Sequence, residues 1–498
     1  MMDLELGPIV GHTTDTESRI WIRHPERIDV SLRWARARVT DRTDVGVDED
    51  AREMPFVPLP AFGVRVATVP GLTPDTRYVY EVLRTGTART AREFPADAPS
   101  FFTMPPRVDD LRFLYLSCNG LHRRPPGRRA TAMWARANEE VARDPQIRFA
   151  ILGGDQVYAD DMRDAWLDDG GAAKLAVVGH DEVVEELAAG YARVYRGFWH
   201  QPDIRRFMAN VPCTMMWDDH DIYDGWGSHG DEHEPVPQAF FAAASRAFDA
   251  HQAVHNPSNG GATDHRAFAF RVGALGVLVL DLRSRRRVVT STAYPLLGDE
   301  QWAFVQASLD RFAEAKITHL AVACSVPPVF AGRVLPTLPG WLLQAEHDDV
   351  LDQWSSGPNL NDQRRLFGKL FEFRREYGAN VLLLGGDVHC ASITRLRSRH
   401  PQFVFDDEPE GAVIHQLVSS GIAYQSPAGA PGWLLERFLG GEQEVSDALH
   451  LVADIQQIYR ARNFAVVSPK EKMRGFWAHL HTEDSGVPIV HHFPGRPK

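Results

Sequence analysis

Two short apolar segments of this chain end in the same three residues, Gly-Gly-Asp. The first covers residues 149–155 and the second covers residues 381–387. Each apolar run has the length of a buried strand, and a glycine pair lets the backbone turn sharply or approach a neighbour closely. Two such strands would bring two carboxylates to one edge of a sheet, where they would repel each other unless a cation lay between them. The sequence therefore predicts a metal site at this edge.

Four further apolar runs also end in polar side chains. They begin at Leu111, Val211, Val277 and His319, and helical patterns cover residues 131–143 and 172–195. Strands that alternate with helices are typical of layered α/β domains, and open sheets of this kind bind ligands beyond the carboxyl ends of their strands. We therefore expect an α/β fold with a rim of polar groups at one edge of its sheet.

The first 105 residues have a different pattern. Polar and apolar residues alternate in two segments near the start, as they do in half-buried strands. The segment around Tyr78 resembles the tyrosine corner of fibronectin-type sandwiches, in which a tyrosine hydroxyl bonds back to the backbone. A proline-containing stretch, residues 95–110, follows. We predict an N-terminal fibronectin-like β-sandwich over residues 1–105 and a catalytic domain over residues 106–498.

The acidic balance of the chain excludes some classes of partner. A net charge of −12 disfavours nonspecific binding to nucleic acid. The four cysteines are far apart in sequence and form no CxxC pair, which argues against a zinc ribbon. The pattern of a signal peptide and the length of a membrane-spanning segment are not visible. We expect a cytoplasmic protein that acts on a small molecule without membrane insertion, and its oligomeric state stays open.

Four of the strand ends carry groups that bind metal ions. They offer a thiol beside an amide, a carboxylate near a phenol, an acidic run that contains a histidine, and a carboxylate near an imidazole: Cys118 and Asn119, Asp155 and Tyr158, residues 218–221, and Asp387 and His389. Carboxylates suit Ca²⁺, Mg²⁺ or Mn²⁺, whereas a thiolate and a phenolate on one ion indicate Fe³⁺. Asp155 is the best candidate to bridge two cations.

The histidine in the acidic run has a plausible role of its own. Neighbouring carboxylates help His220 to keep its proton, and a protonated histidine suits a general acid that protonates a leaving oxygen. For any single aspartate of residues 218–221, a turn or a helix cap is the simpler interpretation. The hypothesis of a metal site therefore depends on the four strand ends taken together.

These motifs resemble those of the PhoD-like alkaline phosphatase and phosphodiesterase family, within the metallophosphoesterases. The matching segments follow the family's order along most of the chain: residues 7–12, 117–119, 154–160, 217–221, 280–283, 297–301 and 386–389. The resemblance implies a four-layer α/β/β/α metallophosphoesterase domain after an N-terminal β-sandwich. It also implies a site that uses Fe³⁺ and Ca²⁺, with Mn²⁺, Mg²⁺ or Zn²⁺ as other possible ions.

The resemblance also implies roles for single residues. It gives six metal ligands: Cys118, Asp155, Tyr158, Asp219, Asp387 and His389. His220 stands at the position of the catalytic histidine, and Asp221 is expected to orient it. Asn119 and Arg283 are the expected substrate-binding residues, with the arginines in residues 123–129 as an alternative phosphate-binding group. Asp219 departs from the wider superfamily, which has asparagine at this position.

The activity that this resemblance implies is metal-dependent hydrolysis of phosphoesters. A metal-activated hydroxide would attack phosphorus in line, and His220 would protonate the leaving oxygen. One alternative is a phospholipase D-like enzyme or a nucleotide phosphodiesterase, which a comparison of monoester and diester turnover would distinguish. Another is a non-catalytic interaction protein in which the metal ions are structural, and this protein would bind metal without turnover.

Overall fold

The computed structural model contains four β-sheets with helices packed against them. It describes residues 4–24, 28–38, 46–123, 127–228, 230–258, 263–286, 296–330, 352–356, 359–406, 408–424, 441–471 and 475–495. Within these ranges, none of the helices combines the length and the apolar composition needed to cross a bilayer.

The N-terminal region consists of two four-stranded antiparallel sheets. Its strands are β1 (Leu6–Thr13), β2 (Glu17–Arg23), β3 (Val30–Arg36), β4 (Arg52–Pro55), β5 (Val57–Pro58), β6 (Val64–Pro70), β7 (Arg77–Arg84) and β8 (Ser100–Phe102). Their orders are β1-β2-β6-β5 and β4-β3-β7-β8. Ile20 from the first sheet and Leu32 from the second lie in one buried cluster. The hydroxyl of Tyr78 accepts the N–H of Thr73 at 2.9 Å, which confirms the predicted tyrosine corner.

The rest of the described chain alternates strands with helices. The strands are β9 (Arg112–Leu116), β10 (Ile147–Gly153), β11 (Cys213–Met216), β12 (Phe268–Val272), β13 (Leu275–Val279), β14 (His319–Cys324), β15 (Asn380–Gly385), β16 (Ala391–Ser398), β17 (Ala412–Ser419), β18 (Gly441–Ser446), β19 (Leu451–Tyr459), β20 (Asn463–Lys470), β21 (Gly475–Thr482) and β22 (Ile489–Pro494). The helices are α1 (Ala132–Arg143), α2 (Asp160–Asp168), α3 (Gly171–Val178), α4 (His180–Trp199), α5 (Pro202–Asn210), α6 (Pro235–His251), α7 (Gly298–Glu314) and α8 (Leu360–Tyr377). Short 3₁₀ helices cover Val108–Asp110, Leu121–Arg123, Asp219–Asp221 and Ala253–His255.

The six strands that the sequence predicts are present, and they divide between two sheets. Strands β9, β10 and β11 run parallel in a six-stranded sheet of order β11-β10-β9-β20-β21-β22. Strands β13, β14 and β15 run parallel in an eight-stranded sheet of order β12-β13-β14-β15-β17-β16-β19-β18. The predicted polar rim is therefore formed where the carboxyl ends of two sheets meet.

The two large sheets pack face to face with helices outside them. Phe113 and Phe149 from the six-stranded sheet share a buried cluster with Leu382 from the eight-stranded sheet. Helices α1, α4, α5 and α6 cover the other face of the six-stranded sheet, and α7 and α8 cover the other face of the eight-stranded sheet. The layers therefore follow in the order helices, sheet, sheet, helices, which confirms the predicted α/β class.

The N-terminal sheets are joined to this helical layer by apolar packing and by hydrogen bonds. Trp21 is fully buried in the same cluster as α4 and α6, and its indole N–H donates to the carbonyl of Ala250 at 3.0 Å. Arg23 donates to the carbonyl of Ala192 at 2.9 Å. A buried tryptophan contributes a large apolar area, so the two regions stabilise each other.

Candidate metal centre and active site

The glycine pairs allow the ends of β10 and β15 to approach each other. A Cβ atom on Gly386 would lie 2.7 Å from the carbonyl oxygen of Gly153, and one on Gly154 would lie 2.9 Å from the Cβ of Asp218. Real Cβ atoms do not come this close to other heavy atoms, so a larger residue at position 386 would push the two sheets apart, and one at position 154 would displace Asp218. Gly386 also donates its N–H to the carbonyl of Ser325, which follows β14, at 2.8 Å. The repeated Gly-Gly-Asp sequence therefore brings Asp155 and Asp387 to one place.

The predicted ligands lie in one cluster around Asp155. Within each of three groups, the candidate ligand atoms are less than 4.8 Å apart, and the groups are Cys118 with Asp155 and His389, Asp155 with Asp219 and His220, and Asp155 with Asp218, Asp219 and Asp387. Asp155 belongs to all three groups, so its carboxylate is the member that they share. The hydroxyl of Tyr158 joins the cluster by donating to Oδ2 of Asp155 at 3.3 Å. Asp218 is a member that the sequence did not single out from its acidic run.

Four residues of the cluster have left-handed backbone conformations. The φ angles of Cys118, Asp155, Asp387 and His389 are 56°, 53°, 64° and 53°. These are four of the eight described non-glycine residues with positive φ. Each such conformation costs about 1–3 kcal/mol and persists where the surrounding structure imposes it, most often at functional sites. The sharp turns direct all four side chains to the rim.

Hydrogen bonds between the loops hold these strained residues in place. The N–H of Cys118 donates to the carbonyl of Gly154 at 3.2 Å. The hydroxyl of Ser420, which follows β17, accepts the N–H of His389 at 2.9 Å and lies 3.1 Å from the sulfur of Cys118. The loops after β9, β10, β15 and β17 are thus tied together at the same point.

The electrostatics of the cluster fit a bound cation. Oδ1 of Asp155 is buried and has no hydrogen-bond partner among the described residues. Burial and the nearby Cys118 raise the pKa of Asp155 well above its usual value, and burial together with Asp387 raises the pKa of Cys118 to about 12. Burial and Asp155 likewise raise the pKa of Tyr158. A cation would stabilise the charged forms of all three groups, and a thiol, a phenol, carboxylates and imidazoles suit a transition metal beside a hard cation.

His220 lies at the rim of the cluster. Its Nδ1 is 2.8 Å from Oδ2 of Asp160, and its ring lies 4.2 Å from the ring of Tyr158. Its side chain is 16% exposed, so the ring lies at the edge of the buried cluster. Burial alone would lower the pKa of His220, but Asp219, Asp155 and Asp160 together raise it well above its usual value. The side chain is therefore set to hold a proton at neutral pH.

The structure corrects the role predicted for Asp221. Its Oδ2 accepts the N–H of Asp218 at 2.9 Å, and its Oδ1 accepts the amide of Gln252 at 2.7 Å. The first of these bonds, together with the N–H of Asp221 donating to the side chain of Asp218, forms a reciprocal cap on the 3₁₀ helix Asp219–Asp221, so both oxygens of Asp221 bond to groups other than the histidine ring. Asp160, the first residue of α2, contacts His220 instead. The sequence placed Asp160 after β10 but gave no sign of a bond to a residue 60 positions later.

Arg283 is also placed differently from the prediction that it binds substrate. Its side chain is fully buried and donates to Asp218, to both oxygens of Asp352 at 2.8 and 2.7 Å, and to the carbonyl of Trp226. It also lies 3.5 Å from Oδ1 of Asp219. Burial would raise the pKa of Asp219, but Arg283 and His220 lower it to about 2. Arg283 therefore offsets the negative charges of Asp218 and Asp219 from the buried side of the cluster.

Asn119 and an arginine of the predicted phosphate-binding cluster also bond to other protein groups. The amide of Asn119 is buried, donates to the carbonyl of Gln156 at 3.2 Å and accepts the indole N–H of Trp134 at 2.9 Å. Both polar atoms of its side chain therefore bond within the protein, where they hold the loop after β9. In the arginine cluster, Arg124 lies outside the described residues and Arg129 is paired with Asp203 at 2.8 Å.

Comparisons with known proteins agree with this geometry. A sequence model described as PhoD-like phosphatase matches residues 113–451, a range that contains all of the cluster residues. The fold is similar to the solved structure of PhoD, with a TM-score of 0.62, 15% identity and coverage of 98% of this chain and 89% of that chain. It is also similar to purple acid phosphatase PPD1 from yellow lupin (Lupinus luteus) seeds, with a TM-score of 0.57, 11% identity and coverage of 97% and 72%.

One relative is found by sequence, a protein of Saccharomyces cerevisiae described as uncharacterized protein YGR266W. It is 22% identical over 377 residues, which cover 58% of this chain and 53% of the yeast protein. The chain therefore spans about half the length of this relative.

Proposed function

Because the chain belongs to the PhoD-like phosphatase family, we propose that it is a metal-dependent phosphoric ester hydrolase acting on small phosphoesters. The observation that carries this proposal is the cluster in which one buried carboxylate, Asp155, is shared by three groups of ligand atoms. The left-handed conformations of its neighbours support the proposal, because strain of this kind is typical of sites that are preorganised for chemistry.

The types of ligand atom suggest which ion would bind in each of two parts of the cluster, which share Asp155. Cys118, Tyr158 and His389, with Asp155, would hold Fe³⁺, because both the thiol and the phenol must lose protons on binding and a strongly Lewis-acidic ion favours this. Asp155, Asp219 and Asp387 would hold Ca²⁺, or Mn²⁺, Mg²⁺ or Zn²⁺ in its place. When bound, the ions neutralise charge on the phosphate and make a water molecule a stronger nucleophile.

His220 is the proposed general acid. Asp160 accepts a hydrogen bond from Nδ1, so the second proton of the imidazolium is carried on Nε2. From there it can pass to the oxygen of the departing alcohol as the bond to phosphorus breaks. Asp160 is a positioning residue in this scheme, since it fixes the orientation of the ring and does not itself contact the substrate.

The N-terminal sheets have a supporting role in this proposal. Because both sheets line one core and Tyr78 forms a tyrosine corner, we assign them to a fibronectin-like β-sandwich. The residues of the metal cluster all come from the loops after the strands of the two large sheets. The sandwich therefore stabilises the helical layer, and none of its described residues belongs to the three groups of ligand atoms.

The test combines metal analysis with turnover. The purified protein, as isolated, is analysed for its elements and assayed with matched monoesters and diesters, then again after chelation and after reloading with single metal ions. We expect turnover that is lost on chelation and regained on reloading. Full turnover of the metal-free protein would refute the proposal, and so would bound metal with no turnover of any ester. The ratio of monoester to diester turnover decides between a phosphatase and a phosphodiesterase.

A further inference from the structure

An open cavity of about 490 Å³ lies beside the metal cluster. Its walls include Leu121 from the loop after β9, Met162 from α2, and Val194 and Phe198 from α4. Cavities of this size hold small organic molecules, and walls of this composition contact apolar groups. Because these side chains are all partly exposed, the walls are open to a ligand that arrives from solvent.

Tyr158 connects this cavity to the metal cluster. Its ring lines the cavity and stacks on Phe198 with 6.2 Å between ring centres, while its hydroxyl bonds to Asp155 in the cluster. The ring of His220 lies 4.2 Å from the ring of Tyr158. A phosphoester bound at the cluster with its leaving oxygen near His220 would thus have this cavity next to its alcohol part.

The charges in the cavity restrict what the alcohol part can be. Among the described lining residues there is no lysine or arginine, and Asp161 contributes a carboxylate at the mouth, where it is exposed. His122 also lines the cavity and is the one described lining side chain that can become cationic; an anionic group would meet the carboxylate of Asp161 with no lysine or arginine to offset it, which is unfavourable. An uncharged apolar or aromatic group would displace water from Phe198 and Met162, which is favourable.

We propose that this cavity binds the alcohol part of the substrate and selects phosphate esters of uncharged apolar or aromatic alcohols, with Phe198 as the main specificity-determining residue. The inference depends on the proposed phosphoesterase function, because it assigns the non-phosphate half of the same substrate. It adds a preference for one class of alcohol in the ester, which the metal cluster alone does not supply.

The experiment uses two alkyl phosphates, 2-phenylethyl phosphate and ethyl phosphate, because their alcohols have similar acidity and differ in the apolar group. For the metal-loaded protein with all 498 residues, we expect kcat/KM to be about 10- to 100-fold higher for the phenylethyl ester, the range expected for burying a phenyl ring. Equal values for the two esters would overturn the proposal and leave the hydrolase function intact. Absence of turnover with every ester tested would instead refute the hydrolase function.

Two variants test the role of the named wall. Phe198→Ala should reduce the ratio of the two kcat/KM values by about 10-fold, because the phenyl ring of the ester loses its main apolar contact in the cavity. Phe304→Ala is the matched control, since Phe304 is also partly exposed but lies on α7 in the opposite helical layer. The control should keep the wild-type ratio. A ratio that is unchanged in folded Phe198→Ala, or that falls equally in both variants, would contradict the assignment.

Reversing the charge of Asp161 gives a test that does not depend on whether Phe198→Ala folds. Asp161 is exposed in the first turn of α2, so Asp161→Lys should not disturb the core. Relative to ethyl phosphate, kcat/KM for an ester whose alcohol carries a carboxylate, 3-phosphooxypropionate, should rise about threefold at low salt and less at high salt. No change at low salt would place the alcohol part elsewhere and overturn the proposal.

Discussion

At the level of single residues, the raised pKa of His220 results mainly from three of the carboxylates around it. Asp219 and Asp155 lie on the cluster side, and Asp160 accepts a hydrogen bond from Nδ1 at 2.8 Å. Burial opposes the charged ring, but the carboxylates raise the pKa of His220 well above its usual value. The residue is therefore suited to give a proton to a poor leaving group and is less needed for a good one.

We therefore expect the variant His220→Ala to lose activity unequally on two types of substrate. Turnover of alkyl phosphate esters should fall by about 10² to 10⁴-fold, the usual contribution of a positioned acid. Turnover of nitrophenyl phosphate should fall far less, because a phenolate of low pKa leaves without help. Steady-state kinetics with both ester types measures the split, and equal losses would show that His220 binds metal or phosphate instead.

The hydroxyl of Tyr158 gives a test for the identity of one bound ion. If its phenolate binds Fe³⁺, the purified protein is coloured by charge transfer from the ligand to iron, and Tyr158→Phe shifts or removes the band and weakens iron retention. Tyr191→Phe is the control, because Tyr191 is also buried but its hydroxyl bonds to the carbonyl of Ile222 and not to a carboxylate of the cluster. An absorption spectrum that is unchanged in Tyr158→Phe would rule out this ligand.

The sequence identified the cluster residues better than their supporting partners. Cys118, Asp155 and Asp387 each lie two positions after the last residue of an apolar strand, so local pattern predicted that they stand at strand ends, where ligands bind. The partner of His220 could not, because Asp221 is adjacent in sequence but caps the 3₁₀ helix, whereas Asp160 lies 60 residues away and local pattern carries no sign of the contact. Arg283 was misassigned for a similar reason, since its burial depends on Asp352, 69 residues away.

At the level of secondary-structure elements, the glycines after β15 determine how closely the two sheets approach. Gly386 has the carbonyl of Gly153, the hydroxyl of Ser117 and the carbonyl of Ser325 within 2.9 Å of where a Cβ would lie. Two of these three atoms are backbone atoms, which cannot move without moving their strands. The position therefore requires glycine because of its neighbours, and not because of an unusual φ angle.

The variant Gly386→Ala should accordingly lose about 1–3 kcal/mol of unfolding free energy, as expected for overpacking, and should retain less metal. Gly368→Ala is the matched control, because Gly368 lies inside α8 with no heavy atom within 4 Å of a Cβ. The control should gain about 0.5–1 kcal/mol from helix propensity. Denaturant unfolding measures both, and equal effects of the two substitutions would refute the close-packing account.

The sequence predicted the strands of the catalytic region but not their division into two sheets. Apolar runs with polar ends identify single strands well. The six-stranded sheet also requires β20 to pair antiparallel with β9, although the two strands are about 350 residues apart, and local patterns carry no information on such pairing. The helical pattern over residues 172–195 is likewise interrupted at Gly179, whose φ angle of 96° separates α3 from α4.

At the level of the whole molecule, the N-terminal sheets and the helical layer meet through buried histidines. His251 donates from Nδ1 to the carbonyl of Ala247 at 2.8 Å, stacks on Tyr195 and has its Nε2 3.4 Å from Arg23. Its neighbour His255 lies 5.5 Å from the ring of Trp21. Burial, with Arg23 beside His251 and Arg19 beside His255, lowers both pKa values to about 3. Both rings are therefore neutral in the folded protein.

These histidines predict that stability decreases in acid. In the unfolded chain their pKa values return to about 6.5, so below that pH the unfolded state binds more protons and the free energy of unfolding falls as the pH falls toward 3. Each histidine should contribute about 1.4 kcal/mol per pH unit within this window. Denaturant unfolding at pH 7 and pH 5 measures the effect, and His251→Gln should reduce the pH dependence.

His233→Gln provides the control for this measurement, because the side chain of His233 is 72% exposed and lies away from the interface. The pH dependence of this variant should equal that of the wild-type protein. If His251→Gln and His233→Gln have the same pH dependence, the interface histidines are not the source of the acid sensitivity.

At the centre of the proposed metal site is one buried carboxylate, Asp155, whose oxygens would bind the ions needed for phosphoester hydrolysis. The most direct measurement compares metal content and turnover in Asp155→Asn, which keeps the shape of the side chain, and in Asp164→Asn, which changes an exposed aspartate of α2. We expect Asp155→Asn to keep the wild-type circular dichroism spectrum while it loses bound metal and all measurable turnover, and Asp164→Asn to keep both. An Asp155→Asn protein with normal metal content and full turnover would contradict the account.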